Sequence, residues 1–350
     1  MIDANNLKKI DKSGMLANIN EFPQQLEEGW KIGSKGSFSL GISDFHSIVF
    51  SGMGGSAIAG DLIKAIVKEI PIPFKVNRSY TIPDYADSNT LFIASSYSGN
   101  TEETLSALRK AIEKKCYIIC ITSGGQVASL GQKHHYPIYK MVKGYQPRAA
   151  LGYSLGIMLS LLKSLGCKTL SHQEIDKTIQ FLKDILNDWK DLSSDKNLPL
   201  TIAGKIKGKI PLIYGSVDTC GAVALRWKTQ FNENSKTHAF SQFFSEMNHN
   251  EIVGWEVLPP TKHFFPHLCA VFLRAEDDLE RNRYRMDITK SLLNDAGIDN
   301  IDIQAEGFSL FSRLMYLVLM GDLLSYYLAI LYGIDPTEIK KINLLKQKLS

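Results

Sequence analysis

No CxxC pair, no HExxH and no long run of Lys and Arg occurs in the 350 residues. Five cysteines are present, Cys116, Cys120, Cys167, Cys220 and Cys269. Their number is odd, their spacing irregular, and most sit in apolar runs, so they read as buried free thiols in a reducing compartment. The opening "MIDANNLKKIDKSGM" lacks the apolar core of a secretory signal. The longest apolar stretch, "LMYLVLMGDLLSYYLAILYG", follows Arg313 and contains Asp322, which fits a buried amphipathic helix better than a membrane span. A net charge of +4 over this length offers no nucleic-acid face. His263 and His267 stand four apart, but Pro266 interrupts them and no thiol or carboxylate completes a metal triad. His134 and His135 are adjacent and cannot share a helix face. These absences point to a cytoplasmic protein without a nucleic-acid or membrane partner.

Hydrophobic residues make up 44% of the chain and charged residues 22%, enough to build ordinary cores, and the length suits two domains. "HSIVFSGMGGSAIAGDLIKAIVKEI" reads as strand, glycine turn and helix. "PFKVNRSY", "LFIASSYSGNTEETLSALRKAIEKK", "CYIICITSGGQVASLGQ" and "YPIYKM" continue the alternation. Apolar strands alternating with helices predict a parallel sheet covered on both faces. A charged helical segment follows, and then a second alternating series begins at "IPLIYG" and runs through "PHLCAVFLR" and "IDIQAEG" to the apolar helix. The expected organisation is a first α/β domain at 36–168, a linking helix at 169–196, a second α/β domain at 197–333 and a C-terminal helix at 334–350. No plain internal repeat is visible, so a duplicated fold rests on the pattern of elements.

"SSYSGNTEET" places six hydroxyl side chains in ten residues at the carboxyl end of an apolar strand and before a helix. Ligands of open parallel sheets bind at such strand ends, and a helix start offers N–H groups to an anion. Ser96, Ser98 and Thr101 are spaced to line a phosphate turn, although an ordinary N-cap with solvated serines would use one or two of them. The turn "SGMGGSAIAGD" points the same way, with Gly52, Gly54 and Gly55 permitting close approach and Ser56 adding a hydroxyl. Gly52-x-Gly54-x-x-Ala57 also fits a dinucleotide fingerprint, but the next strand ends in Asn77 and Arg78 without the carboxylate that holds a ribose. Only a 2′-phosphate at Arg78 would keep NADP in play. Two phosphate-like turns in one sheet suit a single sugar phosphate.

Together "GMGGSAI" and "SSYSGNTEET" resemble the two ligand turns of the sugar isomerase (SIS) domain family. "RWKTQFNENSK", "EMNHNEIVGWE", "QPRAALGYSLG" and "DPTEIKKINLLKQKL" narrow the resemblance to bifunctional phosphoglucose/phosphomannose isomerases. That family implies two tandem, doubly wound, flavodoxin-like SIS domains with a C-terminal helix, no cofactor or metal, a homodimer, and a hexose 6-phosphate bound between the domains. The resemblance implies that Gly55, Ser56, Ser96, Ser98 and Thr101 hold the phosphate. It makes His249, helped by Lys346, the ring-opening group, Glu233 the base that moves a proton between C1 and C2, and Arg148 the cation beside the enediolate oxygens. Thr337 falls near the site by the same analogy, without an assigned role. The substitutions of Ser235, Met247 and Phe231 for the more usual residues remove no reacting group. A non-catalytic sugar-phosphate sensor and an NADP-dependent oxidoreductase are the competing readings. A glucosamine-phosphate synthase would need an amidotransferase cysteine, and the first cysteine here is Cys116.

Overall fold

The computed structural model describes residues 4–36 and 40–349; Ser350, the expected end of the last helix, lies outside them. The chain divides into a first unit, Asn20–Gln180, and a second unit made of Met1–Ile19 with Phe181–Ser350. Helices α1 (Ala4–Ile10), α2 (Met15–Asn20) and α3 (Phe22–Gly33) precede the first sheet. That sheet is built from β1 (Ser47–Ser51), β2 (Phe74–Asn77), β3 (Thr90–Ser96), β4 (Tyr117–Thr122) and β5 (Ile138–Lys140). Between and after the strands come α4 (Gly54–Ile66), α5 (Glu102–Glu113), α6 (Gly125–Lys133) and α7 (Leu151–Ser164). All neighbouring strands are parallel, in the order β2-β1-β3-β4-β5. Every residue of β1 and β3 is buried, as a sheet covered on both faces requires.

α3 and α7 cross on glycines. A Cβ at Gly29 would lie 2.6 Å from the Tyr153 carbonyl oxygen, and one at Gly156 would lie 2.5 Å from that of Leu26. The backbones approach so closely that α3 and α7 form one layer, and the unit therefore begins well before its first strand.

Helices α8 (His172–Lys190) and α9 (Leu198–Ile206) follow. The second sheet contains β6 (Ile210–Ser216), β7 (Phe240–Phe244), β8 (Leu268–Arg274) and β9 (Asp299–Gln304), with helices α10 (Gly221–Gln230), α11 (Glu280–Asp295), α12 (Leu310–Leu331) and α13 (Lys340–Leu349). Its order is β7-β6-β8-β9, all parallel. In both sheets the second strand flanks the first and the later strands extend from its other side, so the duplication inferred from element order is present in the topology.

α12 departs from the amphipathic expectation. Within it only Leu310, Arg313 and Leu331 escape burial. It is long and apolar enough to cross a membrane, yet here it is a core helix enclosed on all sides. All five cysteines are free and buried.

Candidate active site

In the first unit the crossovers from β1 and β3 leave opposite sides of the sheet, because β1 lies between β2 and β3. The carboxyl ends of these two strands therefore flank the crevice where open parallel sheets take ligands. From β1 the chain turns through Gly52 into α4. A Cβ at Gly52 would lie 2.9 Å from the Ser95 carbonyl oxygen, so this turn rests against the end of β3. A Cβ at Gly55 would lie 3.3 Å from the Pro147 carbonyl oxygen and 3.4 Å from the Arg148 Cα. Ser56 is half-buried in the same helical turn.

The second turn is more elaborate. Ser96 is buried, and its Oγ accepts from the Gly99 N–H at 3.1 Å and lies 2.9 Å from Thr101 Oγ1. Gly99 sits at φ +69°, and a Cβ there would fall 1.8 Å from the Gly124 carbonyl oxygen. Only glycine fits that position. Ser98 is exposed, and its Oγ accepts from the Asn100 N–H at 3.2 Å. Thr101 stands at the N-cap of α5 in extended geometry, half-buried, without using its side chain to cap the helix. No side chain caps α4 either. Two helix starts thus bring N–H groups and hydroxyls to one crevice, an arrangement suited to an anion.

Arg148 lies in the 3₁₀ turn Pro147–Ala149 that backs onto α4, and it is 4% exposed. A solvent-facing arginine is therefore ruled out. Sequence reasoning missed Gln25. This side chain of α3 is fully buried, and its Nε2 donates to the Ala149 carbonyl oxygen at 2.8 Å, tying α3 to the turn that carries Arg148. Arg78, which could in principle meet a nucleotide 2′-phosphate, is paired with Asp61. Gly152-Tyr-Ser-Leu-Gly156 has the spacing of a nucleophile elbow but lies inside α7, where Ser154 is buried and donates to the Leu151 carbonyl oxygen at 3.1 Å.

In the second unit α10 does not simply end. It widens into a π-helical turn, Phe231–Ser235, that carries Glu233. The Phe231 carbonyl oxygen accepts from the Lys236 N–H, from Thr237 N–H at 3.2 Å and from Ser235 Oγ at 2.8 Å. Glu233 is half-buried and lines a cavity of about 590 Å³ with Asn232, Lys236, His238, Glu338 and the first turn of α13. Lys236 Nζ donates to the carbonyl oxygens of Asn234 at 3.0 Å and Asp335 at 2.6 Å, holding the approach to α13 against the π turn. Lys340 and Lys341 line this cavity; Lys346, six residues along the exposed helix, is not among the lining residues. Thr337 is half-buried just before α13, and its N–H donates to Asp335 Oδ1 at 2.8 Å.

His249 ends the 3₁₀ turn Glu246–His249 and is exposed; it is not among the residues that line the Glu233 cavity. The loop that carries it is pinned at both flanks. Asn248 Nδ2 donates to Thr289 Oγ1 at 3.1 Å, and Tyr214 donates its hydroxyl to Glu251 Oε1 at 2.5 Å. Burial raises the Glu251 carboxyl above its ordinary range, and the Tyr214 hydroxyl offsets part of that rise.

The corresponding crevice of the second sheet, where β6 lies between β7 and β8, is closed to an anion. Thr219 donates its hydroxyl to Asp278, which is 3% exposed and also accepts from the Ala275 N–H at 2.9 Å. Asp277 and Glu276 beside it pair with Arg313. Carboxylates occupy the place where the first unit presents hydroxyls.

Residues 41–162 match the model of the SIS domain, and residues 195–349 match that of the bacterial phospho-glucose isomerase C-terminal SIS domain. The bifunctional phosphoglucose/phosphomannose isomerase of Caldicellulosiruptor bescii is 42% identical over 96% of this chain and 99% of its own. The protein of the same name from Aquifex aeolicus is 38% identical over 88% of this chain and 92% of its own. Among solved structures, a protein from Thermus thermophilus superposes with a TM-score of 0.75 at 14% identity, covering 99% of this chain and 92% of that one. The tagatose-6-phosphate ketose/aldose isomerase of Escherichia coli superposes with a TM-score of 0.64 at 15% identity, covering 96% and 95%. At such identities the superpositions speak for the fold alone.

Proposed function

The chain belongs to the bifunctional phosphoglucose/phosphomannose isomerase family, and from that premise we propose that it interconverts fructose 6-phosphate with glucose 6-phosphate and mannose 6-phosphate. Removing the C2 proton from either aldose leaves the same planar enediol, so one proton-transfer site can serve both epimers. The observation that carries the reading is the first unit's crevice, where two helix starts without side-chain caps meet the hydroxyls of Ser56, Ser98 and Thr101. A phosphate there would take N–H bonds from the Gly55 turn and hydroxyl bonds from Ser56, Ser98 and Thr101, with Ser96 bonded behind Thr101. Fixing that remote group uses binding energy to orient C1 and C2.

His249, with Lys346 as helper, opens the ring by passing a proton between the ring oxygen and O1. An imidazole can do both at neutral pH. Glu233 then takes the proton from one carbon and returns it to the other, while Arg148 steadies the enediolate oxygens. The half-buried position of Glu233 on a held turn suits a base, and the buried arginine turn suits a fixed cation.

The family resemblance implies a homodimer. The exposed apolar residues Ile342, Leu345 and Leu349 of α13 fit this reading, as does the exposure of His249, which would serve the partner's substrate. The five buried free thiols fit a cytoplasmic location.

The test is a coupled assay of the purified protein with fructose 6-phosphate and with mannose 6-phosphate. Turnover of both, with loss of both in Glu233→Gln while fructose 6-phosphate still binds, supports the reading. A protein that binds the sugar phosphates without turnover is a sensor instead.

A further inference from the structure

The π turn that carries Glu233 is held from both ends by one helix. Before the turn, Arg226 of α10 meets Asp322 of α12 through Nε–Oδ1 at 2.9 Å and Nη2–Oδ2 at 2.6 Å. Gln230, the last residue of α10, adds a bond from Nε2 to the same Asp322 Oδ1 at 2.8 Å. After Glu233, Asn234 Nδ2 donates to Ser325 Oγ at 2.9 Å, and Ser325 in turn donates to the Asp322 carbonyl oxygen at 2.9 Å. Arg226 and Gln230 are 1% exposed, Asp322 is 3% exposed, and Asn234 and Ser325 are fully buried.

Two physical points bear on this cluster. A π turn has a poorer intrinsic geometry than an α turn and persists where its surroundings hold it. A buried ion pair is weak as a source of stability, because desolvating both charges offsets much of their attraction, and an apolar pair of equal volume often does as well. What the cluster supplies is geometry. Residues 230 and 234 are both tied to one turn of α12, and the residue whose placement they bracket is Glu233.

We propose that Asp322, Arg226 and Gln230, together with the Asn234–Ser325 bond, form a positioning clamp for Glu233. The proposal rests on the reading of Glu233 as the proton-transfer base. The clamp residues act through Glu233 by fixing the wide turn, and a displacement of about 1 Å at a reacting group is enough to cost on the order of a hundredfold in rate.

The test is Ser325→Ala, which removes the acceptor of the Asn234 amide and leaves the ion pair intact, with Ser325→Thr restoring a hydroxyl. Gln230→Met removes the other amide and serves as a second variant should Ser325→Ala not fold. Ser325→Ala and Gln230→Met each lower kcat about tenfold or more for fructose 6-phosphate, with KM changed by less than about twofold. Ser325→Thr recovers most of kcat. Leu319→Ala, a cavity in the same helix, lowers the melting temperature without this loss of kcat. At high enzyme concentration, Ser325→Ala changes the residual turnover of Glu233→Gln by less than about twofold, because a clamp has nothing left to position. An unchanged kcat in both single variants, or an equal loss whether or not Glu233→Gln is also present, overturns the clamp and leaves the base assignment standing. Normal turnover of Glu233→Gln overturns the base assignment and the clamp with it.

Discussion

The hydroxyls of Ser96 and Thr101 lie 2.9 Å apart across the turn that joins β3 to α5, one buried at the strand's end and the other at the helix N-cap. Ser96 Oγ already accepts from the Gly99 N–H. If Ser96 gives its proton to Thr101, the Thr101 proton is left to donate to an incoming phosphate oxygen. A hydrogen bond to a charged group contributes about 1.5–3 kcal/mol. Thr101→Val, which keeps the shape, therefore raises the KM for fructose 6-phosphate about tenfold or more, and Ser96→Ala raises it less. Steady-state kinetics of the two variants check the order; a larger effect from Ser96→Ala would reverse the roles.

Glu251 makes stability depend on pH. Burial raises its carboxyl in the folded state above the value it has when unfolded, and the Tyr214 hydroxyl offsets only part of that. The folded chain therefore prefers the protonated acid. Its contribution is complete below the unfolded value and is lost as pH rises through the folded value. Glu251→Gln keeps an acceptor for Tyr214 and has no charge to bury. The melting temperature of Glu251→Gln relative to the unsubstituted protein accordingly rises with pH from the ordinary glutamate range upward. Thermal melts at a series of pH values check it, and a constant difference would show that Glu251 does not titrate with unfolding.

Replacing glycine by alanine inside a helix ordinarily adds about 1 kcal/mol of stability. Gly321 of α12 is an exception. A Cβ there would lie 2.1 Å from Trp227 Nε1. Trp227 cannot yield, since it is fully buried and donates from Nε1 to the Leu317 carbonyl oxygen at 2.8 Å. Overpacking costs about 1–3 kcal/mol and sometimes more. Gly321→Ala thus melts at a lower temperature, by about 2–4 °C for each kcal/mol lost in a unit of this size. Differential scanning calorimetry decides the sign.

The two strand-to-helix turns after β1 and β3 were legible because clustered glycine and hydroxyl residues at the ends of wholly apolar strands mark where a strand stops and a helix starts. β1, β3, β4, β6 and β8 were legible as runs that only a sheet covered on both faces can bury. α3 was not. Gly29 and Gly33 weaken its helical pattern, and the reason for them lies in α7, far along the chain, where close backbone approach needs them. The π turn was hidden because apolar spacing does not report one widened turn. Gln230, Asn234 and Asp322 read as a polar face until their partners on the facing helix are known. The closed crevice of the second sheet was hidden too, since Asp278 looks in sequence like any acidic residue at a helix start.

Gln24 and Gln25 are identical neighbours in the sequence and opposites in the structure. Gln24 is exposed, and its amide reaches Glu28 on the surface at 3.0 Å. Gln25 is fully buried, and its amide supplies a donor for the Ala149 carbonyl oxygen beside Arg148. Gln25→Leu conserves volume but leaves that carbonyl buried without this donor, at a cost of about 1–3 kcal/mol. The turn can recover a partner only by moving, and Arg148 moves with it. If Arg148 steadies the enediolate, the loss falls on kcat, about tenfold, with little change in KM. Gln24→Leu leaves both constants unchanged. A Gln25→Leu enzyme that is less stable to heat yet keeps its kcat would separate the packing of α3 from catalysis and remove Arg148's turn from the chemistry.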